Sequence, residues 1–492
     1  MTVAAAVNGD TWFGHPRGLA TLFFTEMWER FSYYGMRALL MLYMTAAVAT
    51  ANPGMGMPIE QAAAIYGLYT SLVYLLALPG GWVADKLWGQ KKAVFIGGII
   101  IACGHFSMAV PTTTTFFAGL ILIVLGTGLL KPNVSTIVGD LYPEGGARRD
   151  AGFSIFYMGI NVGAMLGPFI CSTLGEGYNW HWGFSAAGFG MVLGLIQYKL
   201  GARYLEGAGD LRTGETPEAI SRRSRNFYLT LAGVAALIVI GAFVLPVTLQ
   251  QVATALGTSI VVLAILYFVY LFVAGGYDAT AKKRLLVIFW LFILAAIFWS
   301  GFEQAGSSMN LFARDLTDRV YFGWEMPAGW LQNVNPIFII VFAPVFGWLW
   351  TWLARRKANP SIPVKFALGL LALGAGFFVL AWGAAQTAGG AKVSAAWLVV
   401  TYFFHTAGEL ALSPVGLSSI TKLAPRDRVG QMMGVWFVGT SLGNLFAGLV
   451  AGRLEELPPS ALFWNVGVYA GVAGLVALLL SPVIRKLIGS IE

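Results

Sequence analysis

The chain has 492 residues, of which 57% are hydrophobic and 11% are charged, whereas soluble domains carry roughly 25% charged residues. Its 31 lysines and arginines outnumber its 23 acidic residues, which gives a net charge of +8. In a soluble protein this balance would suggest nucleic-acid binding, but the mean hydropathy is +0.72 and the apolar stretches are long. The composition therefore excludes a soluble globular protein and a nucleic-acid partner.

Cysteine content and the N-terminus exclude two further classes. Cys103 and Cys171 both lie in apolar segments, so neither a disulfide framework nor a CxxC metal or redox site is available. Residues 1–18 lack a basic region followed by a short apolar stretch and a cleavage site, so we expect no removable signal peptide. We also expect no metal and no organic cofactor.

Long apolar stretches recur along the whole chain. A bilayer core of about 30 Å needs roughly 20 helical residues per crossing, and fourteen stretches have that size. We expect membrane spans over residues 18–48, 59–85, 91–109, 113–139, 148–175, 181–201, 227–246, 255–275, 285–313, 330–354, 363–385, 394–422, 430–453 and 461–487. Because 24 of the 31 basic residues fall on one side of the membrane, in the connections or at the ends of the spans, the positive-inside rule places both termini in the cytoplasm.

Polar connectors divide this all-α membrane protein into parts. The long polar connector is 202–226, and residues 227–275 form two apolar segments that carry no charge. We expect an N-terminal six-helix bundle over 18–201, a cytoplasmic linker over 202–226, an inserted helical hairpin over 227–275 and a C-terminal six-helix bundle over 285–487.

Two sequence pairs at nearly one offset indicate internal repetition. Residues 156–163 (FYMGINVG) correspond to 436–443 (WFVGTSLG) at an offset of 280, and Lys131-Pro132 corresponds to Ser413-Pro414 at 282. Glycines and prolines of this kind also occur in any membrane helix, where they permit packing or kinks; the shared offset favours parallel repeats. This arrangement, together with the loop 81–92 (GWVADKLWGQKK), resembles the major facilitator transporters, whose substrate sites lie near the bilayer midplane.

The first span contains an unusual group of polar side chains. On a helical wheel the group occupies less than half of the circumference, and its members are Glu26, Glu29, Arg30, Tyr33, Tyr34 and Arg37. Ionisable side chains inside a membrane are expensive and mark functional sites by default. The stripe is expected to line an aqueous cavity; the alternative is a buried salt-bridge network that only fixes helix packing.

Other spans also carry charges and amides. Lys131 precedes Pro132 deep in the fourth span and needs an acid, for which Glu303 of the opposite half is the candidate. Trp299, Glu303 and Asn310 are expected on one helix face, and Glu409 on another with His405 and Ser413. His405 is interpreted as a packing residue rather than a proton carrier. Asn161 and Asn335 are expected near midplane depth, either at the site or in helix-to-helix hydrogen bonds.

Four segments together resemble the proton-dependent oligopeptide transporter (POT/PTR) family, bacterial type. The segment 26–35 (EMWERFSYYG) is similar to its ExxERFxYY signature and 156–163 to its FYxxINxG motif, while 298–310 and 408–416 resemble its seventh and tenth core helices. The additional hairpin at 227–275 resembles the one found in bacterial members of the family. Gly67 stands where animal members carry a histidine, so proton coupling is expected to depend on carboxylates.

The resemblance implies a proton-coupled symporter that imports di- and tripeptides by alternating access. Arg37 and Lys131 would hold the peptide carboxylate, and Glu409, Asn161 and Asn335 the ammonium. Aromatic surfaces tolerate varied side chains, and such pockets would be lined by Tyr33, Tyr34, Tyr74, Trp299 and Trp436. Ser413 and Glu303 complete the expected substrate site. The expected partners are small peptides, protons and membrane lipid, in a plasma (inner) membrane protein that acts as a monomer.

Proton coupling is expected to depend on Glu303. When ionised, it would pair with Lys131 or Arg37 and compete with the peptide carboxylate; protonation would free the cation. Glu26, Glu29 and Arg30, together with Lys131, offer a second place for proton exchange.

Two other function classes compete with this interpretation. A drug, sugar or nitrate transporter of the same superfamily remains the alternative, although sugar sites favour neutral amides and aromatics over the paired charges seen here. An intramembrane enzyme has one point in its favour, the GxSxG match at 439–443. That match lies in the middle of an apolar helix rather than on a strand-to-helix turn, and no HExxH is present, so we expect no enzyme.

Overall fold

The computed structural model describes residues 11–211, 215–244 and 246–489. The expectation about a signal peptide falls on residues 1–10, outside the described part, as do 212–214 of the expected linker and 245 of the expected hairpin.

Helices account for most of the described chain. The α-helices are α1 (Gly18–Thr45), α2 (Ile59–Leu75), α3 (Ala77–Val83), α4 (Gln90–Ala109), α5 (Thr113–Asp140), α6 (Gly146–Gly177), α7 (Trp180–Gly201), α8 (Pro217–Val244), α9 (Leu249–Ala274), α10 (Ala279–Phe302), α11 (Ser308–Asp315), α12 (Val334–Arg355), α13 (Ile362–Ala385), α14 (Ala396–Leu423), α15 (Val429–Gly452) and α16 (Pro459–Ile488). A π-helical segment covers Ala84–Trp88, and 3₁₀ segments cover Ala202–Leu205, Glu303–Gly306, Ala328–Asn333, Gln386–Gly389 and Arg453–Glu455.

Short strands occur only in connections of the described residues. β1 (Thr11–Trp12) pairs antiparallel with β2 (His15–Pro16), with Thr11 opposite Pro16. β4 (Val320–Tyr321) pairs antiparallel with β5 (Trp324–Glu325), and β3 (Thr317–Asp318) pairs parallel with β6 (Val393–Ser394). None is long enough to form a sheet core.

Every predicted membrane span coincides with a helix or with an interrupted helix. Eleven helical stretches of the described chain are long and apolar enough to cross a membrane. Helices α1, α7 and α14 have 28, 22 and 28 residues, which is sufficient length, but they are less apolar. The prediction of an all-α membrane protein is confirmed.

Helix packing divides the chain into two compact units. The first comprises the described residues within 1–36, 76–175 and 181–247, and the second those within 37–75, 176–180 and 248–492. Helix α1 therefore contributes to both. The division into bundles 18–201 and 285–487 with a hairpin between them stays a prediction.

Corresponding glycines pack helices closely in each unit. In the first unit, a Cβ on Gly163 of α6 would overlap the carbonyl oxygen of Met27 in α1. In the second, a Cβ on Gly443 of α15 would lie 2.8 Å from the carbonyl oxygen of Ala296 in α10. The two glycines are the last positions of the repeated segments 156–163 and 436–443. Small residues let spanning helices approach closely, so the same contact recurs in both units, as parallel repeats require.

Prolines at the second repeated pair lie inside helices. Pro132 is within α5 and Pro414 within α14. Proline removes one backbone donor, and neighbouring groups must satisfy the carbonyls near it. Asn133 does so by donating from Nδ2 to the carbonyl of Leu129 at 2.6 Å.

We predict that Gly448→Ala destabilises the protein, because a Cβ there would lie 2.5 Å from Ala63 O and from the Cα of Gly67. Overpacking of this kind costs typically ~1–3 kcal/mol. Gly430 on the same helix has nothing within 4 Å of an added Cβ, so Gly430→Ala is the matched control. Thermal unfolding in detergent should show a lower midpoint for Gly448→Ala alone; equal midpoints would contradict the close packing of α2 on α15.

Candidate functional site

The charged group of α1 forms a compact buried cluster in the first unit. Arg30 Nε lies 3.0 Å from Glu26 Oε1 and 2.5 Å from Glu29 Oε2, and all three side chains are at most 4% exposed. The guanidinium of Arg30 also lies 5.3 Å from the ring centroid of Tyr33 and 6.0 Å from that of Tyr34. Cation–π contact of this kind strengthens when water is excluded.

Lys131 completes the charge balance of this cluster. Two carboxylates and one guanidinium leave one negative charge, and the ammonium of Lys131 in α5 acts electrostatically on Glu26. Charges buried in a membrane protein require compensation, so the first unit contains a nearly neutral set of two acids and two bases. The predicted pairing of Lys131 with Glu303 stays a prediction.

In the second unit, Arg37 forms an ion pair with Glu303. Arg37 Nη1 donates to Glu303 Oε2 at 2.6 Å, and the two side chains are 9% and 5% exposed. Such a short, charge-assisted bond is among the strongest available to a protein. Of the two cations predicted for Glu303, the structure pairs it with Arg37.

A break in the ninth predicted span positions Glu303. Helix α10 ends at Phe302, the 3₁₀ segment Glu303–Gly306 follows, and Ser307 has φ −122° and ψ −98° before α11 begins. The expectation that Trp299, Glu303 and Asn310 share one face assumed a continuous helix, and the structure has a break between Phe302 and Ser308. Asn310 instead donates from Nδ2 to the carbonyl of Ala38 at 2.8 Å, which joins α11 to α1 one residue beyond Arg37. Interrupted spans are typical of transporter binding sites.

The second acid of this unit is held by an amide. Asn335 Nδ2 donates to Glu409 Oε2 at 3.1 Å and to Thr406 Oγ1 at 3.0 Å. Glu409 also interacts electrostatically with Glu303. The two acids therefore belong to one electrostatic group with Arg37. This unit thus places a cation, two acids and an amide together.

The remaining predicted site residues are distributed over both units. Asn161 in the first unit is buried and donates from Nδ2 to the carbonyl of Tyr157 in its own helix at 3.0 Å. In the second unit Trp436 is buried beside Gly416, whereas Tyr74, Trp299 and Ser413 are partly buried. His405 is buried with its ring centroid 4.6 Å from that of Phe377, an environment suited to packing.

Sequence reasoning missed several polar partners in the second unit. Tyr402 is buried within electrostatic range of Arg37, and Thr406 binds Asn335. Tyr402 and Thr406 precede Glu409 on α14 by seven and three residues, which places all three on one face of the helix. That spacing was the sequence signal that could have identified them. The Ser71–Ser441 contact between α2 and α15, with 2.8 Å between the Oγ atoms, left no signal in sequence.

Two motif positions have a packing explanation. A Cβ on Gly67 would lie 3.0 Å from the Cα of Gly448 and from the carbonyl oxygen of Leu445, so a histidine does not fit there. Within the GxSxG match, Ser441 Oγ donates to the carbonyl of Ser71 at 2.9 Å, and Gly439 and Gly443 pack against α10. These contacts explain the pattern as helix packing rather than as a nucleophile elbow.

Comparisons with known proteins agree over almost the whole chain. The family model described as the POT family matches residues 91–464. The chain belongs to the POT family. It is 43% identical to a peptide transporter of Yersinia enterocolitica, covering 99% of this chain and 98% of that protein. It is 38% identical to a di-/tripeptide transporter of Lactococcus lactis, covering 98% of both.

Solved structures of POT family members have the same fold. A crystal structure of a peptide transporter POT in complex with sulfate matches with a TM-score of 0.91 at 41% identity, covering 99% of this chain and 98% of that one. A POT family transporter in complex with 5-aminolevulinic acid matches with a TM-score of 0.89 at 34% identity, covering 97% and 98%. The predicted family and major facilitator fold are confirmed.

Membership of the POT family also decides the enzyme question. The family and the relatives are transporters, which confirms the prediction that the chain is not an enzyme. In the described part of the chain, no group of three or more His, Cys, Asp or Glu side chains is placed to hold a metal ion.

We predict strong energetic coupling between Arg37 and Glu303. Removing one member of a buried pair typically costs ~3–5 kcal/mol because the other charge is left uncompensated. The losses in free energy of unfolding caused by Arg37→Gln and Glu303→Gln should therefore sum to more than the loss caused by the double variant. The control is the exposed pair Arg453–Glu456, whose atoms lie 3.4 Å apart; its coupling should be at most ~1 kcal/mol. Additive losses at Arg37 and Glu303 in denaturation measurements would contradict a buried pair.

Proposed function

We propose that this protein is a proton-coupled symporter that imports di- and tripeptides by alternating access. The observation that carries the proposal is the buried Arg37–Glu303 pair. A proton can neutralise Glu303, and a substrate carboxylate can then take its place beside Arg37. The names of the relatives, a peptide transporter and a di-/tripeptide transporter, support the substrate class.

A clamp on both ends of a peptide explains how one site accepts many sequences. Every di- or tripeptide has one ammonium and one carboxylate, whereas its side chains vary. We assign Arg37 and Lys131 to the carboxylate, and Glu409, Asn335 and Asn161 to the ammonium. The 5-aminolevulinic acid bound by one POT family member also carries an amine and a carboxylate, which supports recognition of ends rather than of side chains. Sugars lack both charges.

The side-chain part of the site is assigned to aromatic groups. We place Tyr33, Tyr34, Tyr74, Trp299 and Trp436 along it, with Ser413 as a polar contact. Aromatic rings give a large contact area with little demand on the shape or polarity of the partner.

Coupling follows from competition for Arg37. While Glu303 is ionised, its carboxylate occupies the guanidinium at 2.6 Å. A proton on Glu303 removes the negative charge and leaves Arg37 in need of another anion, which the peptide carboxylate supplies. Proton and peptide therefore bind cooperatively, which is the requirement for symport.

The cluster of Glu26, Glu29, Arg30 and Lys131 is proposed as a second site of proton exchange. The four charges of the cluster are nearly balanced. A proton on one of its two glutamates therefore reduces the negative charge that Lys131 neutralises, and this links the cluster to substrate binding. One proton moving down 100 mV releases ~2.3 kcal/mol. Since ~1.4 kcal/mol is a factor of ten, one proton per peptide supports a gradient of about fortyfold before any pH difference is added.

The proposed setting is the plasma (inner) membrane, with both termini in the cytoplasm and the monomer as the functional form. The excess of basic residues on one side supports this orientation. The six-helix bundles over 18–201 and 285–487 are the proposed moving halves, joined by the linker 202–226 and the hairpin 227–275.

We predict that Glu303→Gln abolishes proton-driven accumulation but retains peptide counterflow, because the amide imitates a protonated carboxyl group. The measurement is uptake of labelled dialanine into proteoliposomes with and without an inward proton gradient. Glu218→Gln, an exposed acid in the first turn of α8, is the control and should behave as the parent protein. Normal concentrative uptake by Glu303→Gln would remove Glu303 from the coupling mechanism.

Blocking either end of the peptide should weaken binding. Dialanine amide lacks the carboxylate for Arg37 and Lys131, and acetyl-dialanine lacks the ammonium for Glu409. Each should compete with labelled dialanine at least about tenfold less well, since hydrogen bonds to charged groups contribute about 1.5–3 kcal/mol. If both blocked peptides compete as well as dialanine, a promiscuous drug-like cavity replaces the two-ended clamp.

A further inference from the structure

Two glutamates on the side opposite the basic connections bind backbone amides of distant segments. Glu176, in the last turn of α6, accepts hydrogen bonds from Ala328 N at 2.7 Å and Gly329 N at 2.9 Å. Glu455, between α15 and α16, accepts one from Ile59 N at 2.9 Å. Both contacts lie within the second compact unit. Each carboxylate therefore meets the first turn of another helical segment, where the helix dipole favours a negative charge.

The two contacts are related by the internal repeat. Glu176 and Glu455 correspond to each other at almost the same offset as the repeated segments 156–163 and 436–443, with a difference of a single position. The acceptor segments repeat as well, because Met57-Pro58 precedes Ile59 and Met326-Pro327 precedes Ala328. The offset from Ile59 to Ala328 equals the offset from Met27 to Ala296. Met27 in α1 and Ala296 in α10 are the residues whose carbonyl oxygens lie against the repeated glycines of α6 and α15. Both the acids and the amides therefore follow the repeat.

The contacts are also reciprocal. Glu176 belongs to the predicted bundle 18–201 and binds the bundle 285–487, while Glu455 belongs to the latter and binds Ile59 of the former. Contacts across a two-fold axis come in such pairs, with residue i touching j and j touching i. A pseudo-two-fold axis between parallel repeats accounts for the exchange.

We propose that Glu176 and Glu455 are a reciprocal pair of latches that hold the extracellular side of the transporter closed. This inference rests on the proposed alternating access, in which substrate enters between the two bundles from that side. Opening must separate Glu176 from Ala328 and Gly329, and Glu455 from Ile59. The backbone amides released at that moment need water as a new partner, so the latches favour the closed state and set how often the site opens outward.

The two latches differ in strength. Glu176 is half-buried and accepts two bonds, whereas Glu455 is exposed and accepts one. Exposed charged contacts are weakened by water and salt. Glu176 is therefore the stronger latch, and Glu455 the weaker.

Outward opening can be measured without substrate. Ser441 Oγ lies 2.8 Å from Ser71 Oγ between α15 and α2, so a bulky maleimide reaches a cysteine at 441 only when these helices separate. The parent is Ser441→Cys in a chain whose native cysteines are replaced (Cys103→Ser, Cys171→Ala). A membrane-impermeant maleimide is added to intact cells, and the rate of modification reports the population open to the outside.

Loss of a latch should raise this rate. Glu176→Ala should be modified at least about tenfold faster, because it loses two charge-assisted hydrogen bonds that favour the closed state. Glu455→Ala should give a smaller increase, and the double variant the largest. Glu176→Gln keeps the size of the side chain and should fall between parent and alanine variant, which tests the latch even if alanine impairs folding.

Glu456→Ala is the matched control. Glu456 adjoins Glu455, is exposed, and pairs with Arg453 in its own turn, so its loss should change the rate by no more than about twofold. Modification of both Glu176 variants at the parent rate, or equal acceleration by Glu456→Ala, would overturn the proposal. The assay adds no peptide and measures no transport, so a failure of peptide symport and a failure of the latch give different results.

Discussion

A buried pair of opposite charges inside a membrane-spanning region imposes the main constraint on this protein. Arg37 and Glu303 lie 2.6 Å apart with both side chains less than a tenth exposed. In such surroundings neither charge can lose its partner without a large penalty. Any event that neutralises Glu303 therefore creates a demand for another anion at Arg37, which the proposed mechanism meets with the peptide carboxylate. Binding and coupling are in this sense one electrostatic exchange.

The backbone around the pair makes that exchange possible. The helix is broken at Glu303–Gly306, which lets Glu303 approach Arg37, and Asn310 ties the following helix to the carbonyl of Ala38. Close glycine contacts hold α6 on α1 and α15 on α10 in the same manner. The two repeats thus supply matching rigid supports, while the charged side chains that they carry differ and give each unit its own chemistry.

Much of the architecture could be predicted from sequence because a membrane penalises what it cannot solvate. Apolar length located the fourteen spans, and the rarity of ionisable groups in them singled out Arg37, Glu303 and Glu409. The helix break at Glu303 escaped prediction because no proline marks it and glycines are common in membrane helices. Tyr402 escaped because a tyrosine in an apolar helix is usually a packing residue. The roles of Lys131 and Asn161 in binding stay predictions.

The latches show the opposite case, in which the signal was present but had no meaning alone. A glutamate near the end of a helix and a Met-Pro pair before a helix are ordinary features of a sequence. These features repeat at nearly the same offsets as the repeated helical segments. That repetition becomes informative only when the structure shows the carboxylate of Glu176 bound to the amides of Ala328 and Gly329.

The central claim, that peptide binding and protonation of Glu303 are one event, can be measured directly by infrared difference spectroscopy. Dialanine added to the reconstituted protein should produce the carbonyl stretch of a protonated carboxylic acid, and the band should be absent in Glu303→Gln. No such band in the parent protein, or an unchanged band in the Glu303→Gln variant, would contradict the account.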